Sequence, residues 1–294
     1  MERDDNEASG TVPAGKPAPG LYIVATPIGN LEDTTRRAIR VLSTADLVLC
    51  EDTRVTGNLL RQLGVRAAAL QPYHEHNAAR VRPGVLARLR EGAVVALSSD
   101  AGTPLVSDPG FKLVREAAEQ GVSVVPVPGA SAVLAALCVA GLPTDRFLFQ
   151  GFLPAKPGAR ARVLDQLAAI PATLVLFESA QRLTATLRDA AGRLGPRPAA
   201  VARELTKLHE EVRRDTLDAL ATHYEAAGPP RGEVVVVIGP PEERAAGMSE
   251  AEIEAALREA LETERPRVAA ARVAALSGLP ANELYRRALA LRGG

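Results

Sequence analysis

Apolar and polar positions along this chain of 294 residues fall into a repeating alternation that begins at residue 21. Short apolar runs at 21–25, 47–50, 94–97 and 122–127 read as strands, with a further short one at 67–70. Between them lie stretches of helical spacing at 33–42, 55–63, 76–90, 111–120 and 131–139. Asp33 is placed to cap the first helix, Gly64 ends the second, and Pro83-Gly84 interrupts the third early. Such β–α alternation predicts a mostly parallel, doubly wound sheet. Gly141-Leu142-Pro143 breaks the pattern and marks a domain boundary. A second set follows, with strands at 147–150, 174–177, 199–202 and 234–238 and helices at 159–169, 181–191 and 216–226. Residues 210–214 fit a strand paired antiparallel to its neighbour, so this sheet is expected to be mixed. The organisation predicted is a disordered tail (1–20), two α/β domains (21–141 and 142–241), and a small helical extension (242–294).

The polar punctuation after the strands carries the chemistry. Residues 94–110 run from an apolar strand into a loop holding Asp100, Gly102, Pro104, Asp108 and Pro109. In open α/β sheets ligands bind at the carboxyl ends of strands, and glycine lets backbone approach them closely. The first strand ends similarly, in Thr26-Pro27-Ile28-Gly29-Asn30-Leu31-Glu32-Asp33, which is neither Gly-x-Gly-x-x-Gly nor a P-loop. Two such loops can face each other across one crevice. Cys50-Glu51-Asp52-Thr53-Arg54 admits two readings: a helix cap by Asp52 or Thr53 with an Arg54 ion pair, or a site of two acids and an arginine. Pro128-Gly129-Ala130-Ser131-Ala132 offers small residues at a fourth strand end, and Ser131 lacks the Gly-x-Ser-x-Gly setting of a hydrolase nucleophile. Phe177-Glu178-Ser179-x-x-Arg182 and Ala202-Arg203-Glu204-Leu205-Thr206-Lys207 place acids and cations after two strands of the second set. His74-x-His76 lacks a third ligand, so no metal is expected, and His209 and His223 read as ordinary.

Composition narrows the field. Aromatics are scarce and tryptophan is absent, so Ala, Val and Leu must build the core. The formal net charge is zero, which excludes a global basic field; any nucleic-acid site has to be a local patch. Cys50 and Cys138 lie far apart in apolar runs and read as buried, reduced thiols. No secretory signal pattern is visible, and the longest apolar stretch, at 130–140, is too short for a bilayer, so a soluble cytoplasmic protein is expected. Residues 242–264 carry a side-chain net of −6 and residues 265–294 a net of +5, both with helical periodicity. That fits a helix-turn-helix-like module or a solvated appendage.

The strand-end motifs, with Gly151-Phe152-Leu153-Pro154 and Ala281-Asn282-Glu283-Leu284-Tyr285, resemble the bacterial ribosomal RNA small-subunit methyltransferase I family. These are cytidine 2′-O-methyltransferases of the tetrapyrrole-methylase superfamily. The resemblance runs in order from about residue 21 to 238. It implies two α/β domains with S-adenosylmethionine in the cleft, a homodimer, and methylation of a cytidine ribose in the decoding region of 16S rRNA in the small ribosomal subunit. It implies cofactor contacts from Pro27, Ile28 and Gly29, from Asp100, Ala101, Gly102, Thr103 and Val106, and from Ser131, Ala132, Phe177 and Leu205. Ala132 departs from the second Ser or Thr common in tetrapyrrole methylases, and backbone contacts survive that change. Ser98-Ser99 replaces an aliphatic-Ser pair. For the base that takes the hydroxyl proton, the candidates are Asp100, Glu51 and Lys207 if neutral, with Asp100 also suited to hold the cofactor. Arg54, Lys156, Arg182, Arg203 and Lys207 would contact phosphates. Two rival readings remain at this point: a tetrapyrrole or corrin methylase, and a non-catalytic RNA- or ribosome-binding module using the basic tail 265–292.

Overall fold

The computed structural model describes residues 15–241 and 249–293. Two compact units divide the chain, Met1–Gly239 and Pro240–Gly294. The expected disordered tail falls largely outside the described residues.

The first unit contains two five-stranded sheets. In the first, β1 (Gly20–Val24), β2 (Leu47–Cys50), β3 (Leu70–Pro72), β4 (Val94–Ser98) and β5 (Val124–Val127) take the order β3-β2-β4-β1-β5, with every pairing parallel. β2 and β4 are buried along their whole length because helices cover both faces, which is why their sequences are unbroken apolar runs. On one face Leu21, Leu49 and Leu97 pack with Val85, Leu86 and Leu89 of α3 (Ala78–Arg90) and Leu113 of α4 (Phe111–Glu119). On the other, Tyr22, Val24 and Ala96 meet Ala38, Val41 and Leu42 of α1 (Arg36–Thr44) and Leu60 of α2 (Thr53–Gln62).

The second sheet has the order β6-β7-β10-β8-β9, built from β6 (Phe147–Phe152), β7 (Thr173–Ser179), β8 (Pro198–Arg203), β9 (Glu211–Thr216) and β10 (Glu233–Ile238). Only β6 and β7 run parallel, so the sheet is mixed as its spacing predicts. α6 (Pro157–Leu167), α7 (Leu183–Leu194) and α8 (Leu217–Ala227) bury Leu164, Leu187 and Leu220 on one face. The opposite face is covered by α5 (Ala132–Ala140), whose Val133, Ala136, Leu137 and Ala140 pack on Val175, Ala200, Ala202, Val235 and Val237.

Four local expectations are corrected. α1 is capped by Thr35, whose hydroxyl accepts from the Ala38 N–H, whereas Asp33 lies in a 3-10 turn (Leu31–Asp33) capped by Asn30. α3 continues through Pro83; the ring removes one intrahelical donor, and burial of Val85, Leu86 and Leu89 carries the helix on. β3 lies at 70–72 rather than 67–70, an edge position that tolerates Pro72. Cys50 is buried but Cys138 is exposed. Helical spacing turns residues 133, 136, 137 and 140 inward, and therefore 134 and 138 outward.

In the second unit α9 (Glu250–Thr263) opens with a capping box between Ser249 and Glu252. α10 (Pro266–Ser277) opens with proline in its first turn and ends at Gly278 in the left-handed region. α11 (Ala281–Gly293) completes a core of Ile253, Leu257, Ala270, Val273, Leu284 and Ala288. The charge split along this segment is an internal complement: Arg287 pairs with Glu250 of the acidic helix, and Arg272 with Glu264. Among the described residues no helix is long and apolar enough to cross a membrane.

Candidate active site

Parallel strands deliver their carboxyl ends to one side, and there the loops after β1, β4 and β5 are joined. Thr26 and Gly102 exchange both backbone hydrogen bonds (2.9 and 3.0 Å), and the buried Thr26 hydroxyl donates to the Ser99 carbonyl at 3.1 Å. The Thr103 hydroxyl donates to the Ala130 carbonyl, tying in the third loop. Gly102 sits at φ +80°, and a Cβ there would stand 3.3 Å from Ile28 Cγ2. Leu105 (φ 73°) and Ser107 (φ 65°) are non-glycine residues in the left-handed region, a costly conformation that clusters at ligand sites.

These loops form one wall of a cavity of about 470 Å³, a volume suited to a cofactor. Ile28, Glu51 and residues 100–103, 106–108 and 131–133 line that wall. Phe152, Ala202, Leu205 and residues 177–180 and 232–235, from the second sheet, line the other. Phe177 sits edge-on between Phe149 and Phe152, with ring centroids 4.9 and 5.7 Å away.

Three carboxylates, Glu51, Asp100 and Asp108, share the first wall. Burial raises the Asp100 pKa, and the Asp52 charge adds to it, against the hydrogen bond it accepts from the Asp52 N–H at 3.2 Å. Asp108 is pushed up to about 6, first by burial and then by the charges of Glu51 and Asp100, despite a hydrogen bond with the Ser99 hydroxyl. Glu178 is 3% exposed and fully engaged. It accepts from the Ser179 N–H (2.7 Å) and the Thr186 hydroxyl (2.6 Å), and pairs with Arg182 at 3.3 Å.

Of the residues anticipated from sequence, Ile28, Glu51, Asp100, Ala101, Gly102, Thr103, Val106, Ser131, Ala132, Phe177 and Leu205 line the cavity together. Pro27 and Gly29 do not. Gly29 lies under the Lys207 stem, where a Cβ would collide with Lys207 Cγ. Lys207 is ion-paired with Glu233 (2.7 Å) and Glu204 (2.9 Å). Burial opposes its charge, but the two carboxylates outweigh this and raise its pKa, so the neutral amine required of a base is not what this arrangement holds. The cap reading of 50–54 is the one realised: Asp52 caps α2 and pairs with Arg54 at 2.6 Å. Arg182 and Arg203 are likewise engaged, with Glu178 and Glu211, while Lys156 is exposed just ahead of α6. Sequence reasoning missed Phe152 and residues 232–235 as cavity walls. The start of β10 is an apolar run after a Gly-rich turn, and nothing in it signals a ligand.

Comparison with known proteins agrees with this geometry. A family model described as Tetrapyrrole (Corrin/Porphyrin) Methylases matches residues 20–221, and one described as RsmI C-terminal HTH domain matches residues 247–292. The protein from Erythrobacter litoralis named Ribosomal RNA small subunit methyltransferase I is 52% identical, over 94% of this chain and 96% of its own length. Its namesake from Mesorhizobium japonicum is also 52% identical, over 96% and 95%. Among solved structures, the uroporphyrin-III C-methyltransferase of Thermus thermophilus complexed with S-adenyl homocysteine superimposes with a TM-score of 0.51 and 25% identity, over 75% of this chain and 97% of that one. The chain belongs to the ribosomal RNA small subunit methyltransferase I family of the tetrapyrrole methylases.

Proposed function

We propose that the chain binds S-adenosylmethionine in the strand-end cavity and transfers its methyl group to the 2′-hydroxyl of a cytidine ribose in 16S rRNA. The observation that carries this reading is one cavity uniting apolar walls, a strand-end loop that only glycine at position 102 lets pass close to Ile28, and three clustered carboxylates. These residues fit the cofactor. Ile28, Val106, Phe177 and Leu205 offer an apolar bed for a purine, the backbone of Ala101 and Thr103 and the Ser131-Ala132 turn offer polar contacts, and the acids favour a cationic group. When bound, S-adenosylmethionine supplies a methyl group activated by a positively charged sulfur.

The chain's own residues then do two things. The first is to align the hydroxyl with water excluded, which the apolar walls favour. The second is to take up the hydroxyl proton, so that the ribose oxygen could accept a methyl group as its bond to sulfur breaks. Asp108 is the carboxylate best matched to proton removal, because with a pKa of about 6 it is ionised at neutral pH yet more basic than an ordinary aspartate. Asp100 and Glu51 support it by raising its proton affinity. Exposed Lys156 and Arg54, and Arg203 through its terminal nitrogens, provide cations for the RNA backbone, whereas Lys207 and Arg182 are held by carboxylates. Activity on rRNA implies a cytoplasmic protein, and we expect the homodimer usual in this family.

Titration of S-adenosylmethionine into wild-type protein and Asp100→Ala tests the cofactor site, with weaker binding expected in the variant; equal binding in both would remove Asp100 from it. Methyl incorporation into 30S subunits, mapped to a nucleotide position, tests the rest. A methyl group on a base, or on a tetrapyrrole in place of RNA, overturns the substrate assignment. RNA binding without any transfer reduces the chain to a binding module.

A further inference from the structure

A second cavity, of about 420 Å³, lies past the end of the β8–β9 hairpin. Arg203 and Glu211 face each other across the hairpin register, His223 and Tyr224 come from α8, and His209 and Arg231 come from the flanking loops. Glu211 engages Arg203 through Nε at 2.7 Å, which leaves both terminal nitrogens of that guanidinium as donors. Arg231 makes no hydrogen bond or ion pair with any described residue. Tyr224 is 4% exposed and packs on the wall of this cavity, with Arg213 in hydrogen-bonding reach of its hydroxyl and Glu211 nearby. His223 is stacked edge-on against it, 5.0 Å between centroids. Two arginines and two histidines on the walls of one cavity, with the terminal nitrogens of Arg203 unspent, point to an oxygen-bearing anion. The place is informative too. Arg231 borders this cavity, and the very next residue, Gly232, lines the first.

We infer that this second cavity is a phosphate-recognition site that takes a backbone phosphate of the RNA substrate while a neighbouring ribose enters the first cavity. The inference rests on the RNA reading above. Arginine forks suit phosphate oxygens, imidazoles add donors, and Glu211 holds the Arg203 fork in place. Contacts of this kind set register on the strand and carry no base information.

The test compares wild-type protein with Arg231→Ala, Arg231→Lys and the double variant Arg231→Ala/His209→Ala, methylating 30S subunits over a range of salt. Arg231→Ala is expected to raise KM for the subunit about tenfold and to reduce the slope of log affinity against log salt by about one. S-adenosylmethionine affinity should stay the same, and Arg231→Lys should recover most of the loss. Unchanged KM and salt slope in the double variant overturn the proposal. A second measurement stands apart from catalysis: the imidazole NMR signals of His209 and His223 are followed as a single-stranded RNA oligonucleotide is added. RNA is expected to shift both in the wild type and far less in Arg231→Ala. Shifts without methyl transfer would uphold this site and defeat the methylation reading. Methyl transfer with silent histidines would do the reverse. If inorganic phosphate moves the signals as strongly as RNA at equal phosphate concentration, the cavity serves free phosphate and the RNA assignment fails.

Discussion

Two turns in this molecule hold paired left-handed, non-glycine residues, and they use that conformation in opposite ways. The loop after β4 has Leu105 and Ser107 at positive φ, and the turn after β8 has Glu204 and Thr206. The first exposes Asp100 and Asp108 to a cavity beside Glu51, with no lysine or arginine among the described residues that line it, and their pKa values rise. The second threads Lys207 between Glu204 and Glu233; the cation lowers the Glu204 pKa, and its own is raised. Similar backbone strain thus supports an uncompensated acidic wall in one place and a compensated clamp in the other. Uncompensated charge is what a reaction draws upon; compensated charge fixes geometry.

The sharpest way to break that contrast is Asp108→Asn. If the acidic wall accepts the hydroxyl proton, kcat should fall between about 10²- and 10⁴-fold with S-adenosylmethionine affinity little changed. The pH dependence follows. Wild-type kcat should climb between pH 5 and 7 around an apparent pKa of about 6, and the variant should lose that limb. The sign for stability is opposite. The folded pKa of Asp108 lies above its ordinary 3.8, so the native state holds the proton more tightly. Stability contributed by this group is therefore present below pH 4 and declines as pH rises to about 6. Denaturant midpoints for wild type and Asp108→Asn across that window measure it.

Gly102→Val comes next. A β-branched residue at φ +80°, its Cβ against Ile28, costs about 1–3 kcal/mol and should weaken cofactor binding about ten- to a hundredfold in calorimetry. Lys207→Met removes the clamp's cation and leaves Glu204 and Glu233 facing each other. A loss of about 1 kcal/mol in denaturant unfolding is expected, with the pH profile of kcat unmoved. A changed profile would mean that the clamp belongs to the reactive wall. The smallest effects are reserved for Ser107→Gly and Thr206→Gly. Each relieves a left-handed residue, and each should change stability by no more than about 1 kcal/mol. Only Ser107→Gly should alter S-adenosylmethionine affinity.

The acidic wall was far more legible in the sequence than the clamp. Asp100, Gly102 and Pro104 follow an apolar run directly, so local spacing alone marks a strand-end loop. Glu51 lies four residues past the start of β2 and reaches the same cavity because β2 and β4 are neighbours in the sheet. Lys207, by contrast, is 26 residues from Glu233, and nothing local announces that an antiparallel β8–β10 pairing brings them within 2.7 Å. The same distance hides the second cavity. His209, His223 and Arg231 are unremarkable singly and are gathered only by a hairpin, a helix and a loop. The Cys138 error has a simpler origin, since an apolar run long enough to be a helix must turn one side outward. The Asp33 error is one of choice among neighbours, as Asn30 and Thr35 take the two caps and leave Asp33 none.

The paired rungs between Thr26 and Gly102 give the site a built-in clock. Both amides, 76 positions apart in the chain, are held by one short ladder, so a single opening releases both to solvent deuterium. Their exchange rates should match, and any occupant of the cavity that presses on Gly102 should slow the two together, at residues that sequence distance alone would never couple.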